Sequence, residues 1–112
     1  MAFVVEVYRF VALLPDTERY NLASQLRKAV TSVPLNIAEG AGCAGPNEFA
    51  KFLGYAYRST KEVVTALELC QLLYPTLSAQ VVPALLDEGD RIARMTHGLI
   101  GRLGLPPDLR HE

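Results

Sequence analysis

The sequence predicts an all-α fold, an up-down-up-down antiparallel four-helix bundle. Three observations support this prediction: apolar residues recur at helical spacing in four segments, prolines and glycines separate the segments, and no two segments alternate as paired strands would. Helices of this length with short connections pack as antiparallel neighbours. We expect one domain over residues 1–112, with helices at about 3–14, 17–40, 46–74 and 79–104 and a loose tail at 105–112.

The first segment is rich in valine, which also suits a strand. Its apolar residues nevertheless fall at i, i+4, i+8 and i+11, and no second strand candidate exists to pair with it. These residues are Phe3, Val7, Val11 and Leu14, and Pro15 ends the segment. We therefore expect a helix.

The second segment carries an apolar stripe that a proline interrupts. Asp16 is a candidate N-cap, because its carboxylate can accept a hydrogen bond from an otherwise unpaired amide. The stripe consists of Leu22, Leu26, Ala29, Val33 and Ile37. Pro34 cannot donate to the carbonyl of Val30, but the stripe keeps its phase beyond Pro34, so we expect one kinked helix. We expect Gly40 and Gly42 to end it.

The last two segments show the seven-residue repeat that favours coiled-coil-like packing. In the third, which starts at Pro46, the repeating positions are Phe49, Ala56, Val63 and Cys70, and Leu53, Thr60, Leu67 and Tyr74. In the fourth they are Leu85, Ile92 and Leu99, and Leu86, Ala93 and Ile100, with Met95 and Leu103 alongside. Ser78 is a candidate cap of the fourth helix, and Pro83 can delay its regular part by a turn. We expect Gly104 and the Pro106-Pro107 pair to close it.

The composition indicates a chain that associates with itself. Half of the residues are hydrophobic, more than one small bundle readily buries, so part of that surface is expected to face other subunits. The net charge of −1 argues against a wholly basic nucleic-acid coat but leaves room for a local basic patch. Glu6 and Arg9 interrupt the N-terminal apolar run, which is too short to span a membrane, and this favours the cytoplasm. Cys43 and Cys70 are expected to be reduced thiols, with a disulfide or metal ligation as the alternatives.

No constellation of residues indicates catalysis. His97 and His111 have no Cys, Asp or second His at ligand spacing. Asp87, Glu88 and Asp90 could suggest a metal site, but next to two arginines they are more typical of a solvated helix face. No glycine-rich phosphate loop or nucleophile elbow is present. We therefore expect a non-enzymatic protein without metal, cofactor or small-molecule substrate.

Basic residues of the middle two helices are the candidates for a binding surface. They are Arg19, Arg27, Lys28, Arg58 and Lys61. Clustered guanidinium groups can bind phosphates, with an affinity that falls as salt rises. The alternative is that glutamates on the same helices neutralise them in ordinary ion pairs; these are Glu18, Glu48, Glu62 and Glu68. No aromatic stripe accompanies the charges, as a stacking platform for single strands would require.

Asn36 and Glu39 form a polar pair at i, i+3 just past Pro34. Asn36 is placed to bond the carbonyl that Pro34 leaves free, and Glu39 to reach a basic residue of a neighbouring helix or subunit. We expect both to be structural, because a buried polar network can fix the register between packed helices.

Two runs of the second helix carry a resemblance to a known family. They are ERYNLASQLRKA, residues 18–29, and SVPLNIAEG, residues 32–40. The third helix agrees at Glu48-Phe49, Phe52-Leu53, Ala56, Ser59, Glu62 and Leu67. Over nearly its whole length the chain resembles the four-helix bundle family named for proteins encoded in intervening sequences of bacterial 23S ribosomal RNA genes.

The resemblance implies a four-helix protomer that forms a ring-like homopentamer, in a family without an established biochemical activity. More distantly, the chain is similar to the accessory protein of diversity-generating retroelements, which is strongly basic and binds nucleic acid and a reverse transcriptase. Cys43 and Arg58 stand where the family usually has a basic residue and a glycine. Two hypotheses remain: a homo-oligomer that scaffolds RNA, DNA or a nucleic-acid-associated protein through the basic set, or a structural and protein-interaction module that does not contact nucleic acid.

Overall fold

The computed structural model describes residues 1–43 and 45–103; the expected tail, Gly104, the Pro106-Pro107 pair and His111 lie outside this part of the chain. The helices are α1 (Ala2–Val11), α2 (Leu22–Ala41), α3 (Pro46–Leu73), a short α4 (Pro75–Ser78) and α5 (Val82–Arg102), with a 3₁₀ turn at Asp16–Glu18. Helices make up 84% of the described residues, none of which is in a strand, and the four long helices pack against each other. The all-α prediction is confirmed.

The larger hydrophobic cluster lies among α1, α2, α3 and α5, where the predicted stripes meet. All four stripe residues expected on the first segment are buried in it, and α3 contributes Val63, Leu67 and Cys70 at the predicted repeat positions. Burying side chains of this size stabilises the fold by about 1.5–3 kcal/mol each. One expectation is wrong: Met95 does not join the α5 stripe and is 57% exposed.

A second, smaller cluster lies at the opposite end of the bundle, and α1 does not reach it. Its buried residues are Ala50, Leu53 and Ile100, with Ile37, Phe49, Leu99 and Leu103 packed against them. These residues come from α2, α3 and α5. The reason is length, because α1 has 10 residues whereas α2, α3 and α5 have 20, 28 and 21. We therefore distinguish a four-helix end, which contains α1, from a three-helix end, which does not.

Gly40 is the penultimate residue of α2, which ends at Ala41 with Gly42 as its C-cap, as the sequence predicts. A Cβ on Gly40 would lie 2.9 Å from both Phe49 Cδ1 and Phe52 Cβ, so only glycine allows α2 and α3 to approach this closely. The phenylalanines therefore pack directly on the backbone of α2.

The expected starts of the second and fourth helices are corrected, whereas α3 begins at Pro46 as predicted. The second helix begins at Leu22 rather than residue 17, and Asp16 does not cap it. The amide of Leu22 instead donates to Glu18 Oε1 at 3.4 Å, so a residue of the preceding turn satisfies it. Ser78 does not cap the fourth long helix, which begins at Val82; its buried hydroxyl donates to the carbonyl oxygen of Cys70 at 3.0 Å.

Candidate nucleic-acid interface

A groove between α2 and α3 holds two of the five predicted basic residues. Arg58 and Lys61 contribute to its α3 wall, and the groove encloses about 620 Å³. From the α2 side it is lined by Gln25 and by Tyr20, whose side chain is 85% exposed in the turn before the helix. Polar and aromatic groups thus accompany the two cations in one open concavity.

Glu62, one of the glutamates considered as partners of these cations, also lines the groove, but it forms no ion pair with Arg58 or Lys61 among the described residues. Among the described residues, ion pairs within 4.0 Å join Arg19 to Asp16 and Arg91 to Glu88, and neither involves Arg58 or Lys61. The Arg58 guanidinium lies over the Tyr55 ring, 5.1 Å from its centroid. A cation held over an aromatic face keeps its charge and its outward donors.

The other three basic residues lie elsewhere. Arg19 is 3.8 Å from Asp16 in an exposed ion pair. Arg27 donates from Nη2 to the carbonyl oxygen of Arg19 at 3.4 Å, and both residues line a small cleft beside the end of α1. Lys28 is exposed and lines neither this cleft nor the groove. The predicted set of five is therefore divided: Arg58 and Lys61 share the groove, Arg19 and Arg27 share the small cleft, and Lys28 lines neither.

A polar cluster at the four-helix end was missed by the sequence analysis. The Tyr74 hydroxyl donates to Glu18 Oε2, which ties the start of α2 to the end of α3. This hydrogen bond to the Glu18 carboxylate is the main reason that the pKa of Tyr74 is raised above its usual value. Nearby, burial raises the pKa of the Cys70 thiol to about 11, with a smaller contribution from the Glu18 charge. Glu18 thus stabilises the fold and is not available to neutralise the groove.

The Asn36 amide joins a small network across the α2–α3 contact. Its Nδ2 donates to the carbonyl oxygen and to the hydroxyl of Ser32, both at 2.8 Å, and the Ser59 hydroxyl donates to Ser32 Oγ at 2.9 Å. The expectation that Asn36 bonds the carbonyl freed by Pro34 is therefore wrong, since its partner is Ser32. Glu39 is exposed, and its carboxylate has no ion pair among the described residues.

A second surface depression, of about 440 Å³, lies between α3 and α5. It is lined by Lys61, Asp90 and His97 among others, and the His97 ring lies 5.8 Å from that of Tyr57. Within residues 1–43 and 45–103, no three His, Cys, Asp or Glu side chains are grouped so that they could hold a metal ion. Cys43 and Cys70 are both free thiols, as expected. No described helix is long and apolar enough to cross a membrane.

One known family matches most of the chain. Residues 1–98 match the family described as the 23S rRNA-intervening sequence protein. The match includes α1 to α4 and most of α5. No curated protein matches the chain significantly. The chain belongs to the 23S rRNA-intervening sequence protein family.

Proposed function

We propose that this chain is a non-enzymatic, homo-oligomeric helical module that scaffolds RNA or a ribonucleoprotein partner through Arg58 and Lys61. The observation that carries the proposal is the groove between α2 and α3, which is lined by Tyr20 and by two cations without an ion-pair partner among the described residues. Arginine and lysine bind phosphate oxygens, and exposed aromatic rings stack on bases. The family is named for 23S rRNA intervening sequences, which agrees with an RNA partner.

The proposed protomer is an up-down-up-down bundle with α2 kinked at Pro34. Contacts between α2 and α3 support the antiparallel arrangement, because ascending positions on one meet descending positions on the other. Gly40 lies against Phe49, and Ser32 bonds Ser59 nearer the middle of both helices. Pro34 has no amide proton, which is a known cause of helix kinks.

The proposed assembly is a ring, with five copies as the number that the family resemblance implies. In a ring each groove is repeated once per subunit, so weak phosphate contacts add through avidity. Two cations per chain would bind RNA weakly alone, whereas the assembled ring multiplies them. This is how a chain of net charge −1 can still hold a polyanion.

A second candidate function is a protein-interaction module that does not contact nucleic acid. The observation in its favour is an exposed apolar patch at the end of α3, formed by Leu69, Leu72 and Leu73. These residues are spaced at i, i+3 and i+4, so they share one side of the helix. Leu69 also lines the groove with Arg58 and Lys61, and a protein partner would then occupy the surface proposed for RNA.

The test compares two double variants that remove the same charge from different surfaces. We expect Arg58→Ala/Lys61→Ala to weaken RNA binding, and Arg27→Ala/Lys28→Ala to leave most of it intact, because only the first pair lines the groove. Fluorescence anisotropy at about 50 and 200 mM salt measures both affinities, and the slope of log K against log salt should fall by about one per contact removed. Equal loss in the two variants would contradict the groove. No binding by the wild type at low salt would favour the protein-interaction module.

A further inference from the structure

The depression between α3 and α5 is a concave surface with its own charges and rings. Its volume of about 440 Å³ lies within the range of about 300–1,000 Å³ that ligand pockets have. The lining residues of α5 include Asp90, Arg94 and His97. These three recur at i, i+4 and i+7, so they form one row on the side of α5 that meets α3.

Lys61 belongs to both concave surfaces and joins them. It lines the groove between α2 and α3 and also the depression between α3 and α5. An α-helix turns by about 100° per residue, so Lys61 lies between Tyr57 and Arg58 around the axis of α3. Tyr57 lines the depression and Arg58 the groove. The groove and the depression therefore form one surface that crosses α3 at Lys61, and we name it the crossing path.

The crossing path carries three cations and two carboxylates. Arg58, Lys61 and Arg94 are exposed. Glu62 lines the groove and Asp90 the depression, and the ion pairs within 4.0 Å in the described part of the chain involve none of these five side chains. The three cations thus keep donors for phosphate oxygens. Because Arg58 and Arg94 line different concavities, the set suits a chain of phosphates rather than a single one.

Aromatic rings accompany the cations at both ends of the crossing path. Tyr20 lines the groove, and in the depression the rings of Tyr57 and His97 lie 5.8 Å apart, tilted by 45°. Tyr57 and His97 are half-buried, so part of each ring is accessible. The three rings come from different elements, and for this reason no stripe along one helix reveals them. Rings beside cations stack on bases that are not already stacked within a duplex.

We propose that an unpaired segment of RNA lies along the crossing path, with Arg94 binding a phosphate and Tyr57 and His97 contacting a base. The proposal rests on the RNA-binding function proposed above and names the ligand of that function as single-stranded. A helix with its side chains is about 10–12 Å across, so a few nucleotides reach from the groove to the depression. In a duplex the bases are stacked inside, and the rings of the path would have no base to contact.

The test changes the charge of the depression in both directions without touching the groove. Arg94→Gln removes a cation, and we expect it to weaken the binding of a single-stranded RNA of about 12 nucleotides by about three- to tenfold at low salt, and to lower the salt slope by about one. Asp90→Asn removes the carboxylate that opposes the phosphate and should tighten binding by about two- to threefold. The matched controls are Arg91→Gln and Asp87→Asn, which make the same charge changes on α5 at residues that do not line the depression. Both controls should bind as the wild type does in fluorescence anisotropy.

The same RNA annealed to its complement tests the strand state. Stacking contributes about 1–3 kcal/mol per base, so the wild type should bind the single strand at least about fivefold more tightly than the duplex. His97→Ala should reduce this preference while keeping the circular dichroism of the wild type.

Three results would overturn the proposal, and they separate it from the proposed function. Equal affinities for Arg94→Gln and Arg91→Gln, with binding still lost in Arg58→Ala/Lys61→Ala, would confine the RNA to the groove and overturn the crossing path alone. Tighter binding of the duplex than of the single strand would overturn the unpaired ligand. No RNA binding by the wild type at low salt would overturn the proposed function and the crossing path together.

Discussion

Gly40 gives the sharpest test of how α2 and α3 are held together. In the Gly40→Ala variant the new Cβ would stand 2.9 Å from Phe49 Cδ1 and from Phe52 Cβ, against about 3.5–4.0 Å for a favourable carbon contact. Phe52 Cβ is fixed to the α3 backbone, so relief requires the helices to separate. Overpacking of this kind costs about 1–3 kcal/mol.

Alanine also has a favourable effect, which must be separated from the clash. It stabilises a helix interior by about 0.8–1.0 kcal/mol relative to glycine. The net destabilisation expected for Gly40→Ala is therefore about 0–2 kcal/mol. Gly98→Ala in α5 is the matched control, because a Cβ there meets nothing within 4 Å. This variant should be more stable than the wild type, through the higher helix propensity of alanine alone.

The measurement is denaturant unfolding followed by circular dichroism, at one protein concentration because assembly adds to apparent stability. The difference in unfolding free energy between the two variants cancels the effect of helix propensity, so it measures the clash alone and should be about 1–3 kcal/mol. Equal unfolding free energies for Gly40→Ala and Gly98→Ala would refute the close approach of α2 to the phenylalanines.

Two further predictions concern Asn36 of α2 and Cys70 of α3. Asn36→Leu removes the donor to Ser32, and we expect a loss of about 1 kcal/mol in the free energy of unfolding; unfolding identical to that of the wild type would show that the network adds nothing. Burial raises the pKa of the Cys70 thiol to about 11 in the folded chain. In the unfolded chain this thiol has its usual pKa near 9, so it ionises at lower pH there than in the folded chain. The contribution of the protonated thiol to stability should therefore be present below about pH 9 and be lost as the pH rises towards about 11. In the Cys70→Ala variant the free energy of unfolding should decrease less between about pH 9 and about pH 11 than in the wild type. An equal decrease in the two proteins would show that other groups cause it.

The sequence predicted those parts of the fold that depend on periodicity. The stripe of α1 and the repeats of α3 are buried as expected, because burial of apolar area follows helical spacing directly. The starts of the second and fourth helices were wrong, because capping depends on a single hydrogen bond, whereas the third helix begins at Pro46 as predicted. Glu18 bonds the amide of Leu22 from the preceding turn, whereas the pattern pointed to Asp16.

The candidate site was predicted only in part, because spacing along a helix does not say which neighbour a residue faces. Arg27 and Arg58 both belong to the middle helices, yet Arg27 lines the cleft beside α1 and Arg58 the groove beside α3. Whether the glutamates of these helices form ion pairs with the cations also depends on tertiary placement. Glu18, for example, accepts a hydrogen bond from the Tyr74 hydroxyl instead. A sign in the sequence was Gly40, since a glycine inside a helix often marks a close approach.

The runs that carry the family resemblance are largely explained by packing, and this limits what they say about function. Glu18 holds the start of α2, Asn36 bonds Ser32 across from Ser59, and Gly40 admits the phenylalanines. Residues engaged in this way have their donors and acceptors occupied and are poor candidates for a ligand. A ligand would therefore be bound by exposed side chains outside those contacts. Arg58 is such a position, since it is exposed and its guanidinium lies over the Tyr55 ring. For that reason the groove variants test function more directly than changes in the runs that carry the resemblance.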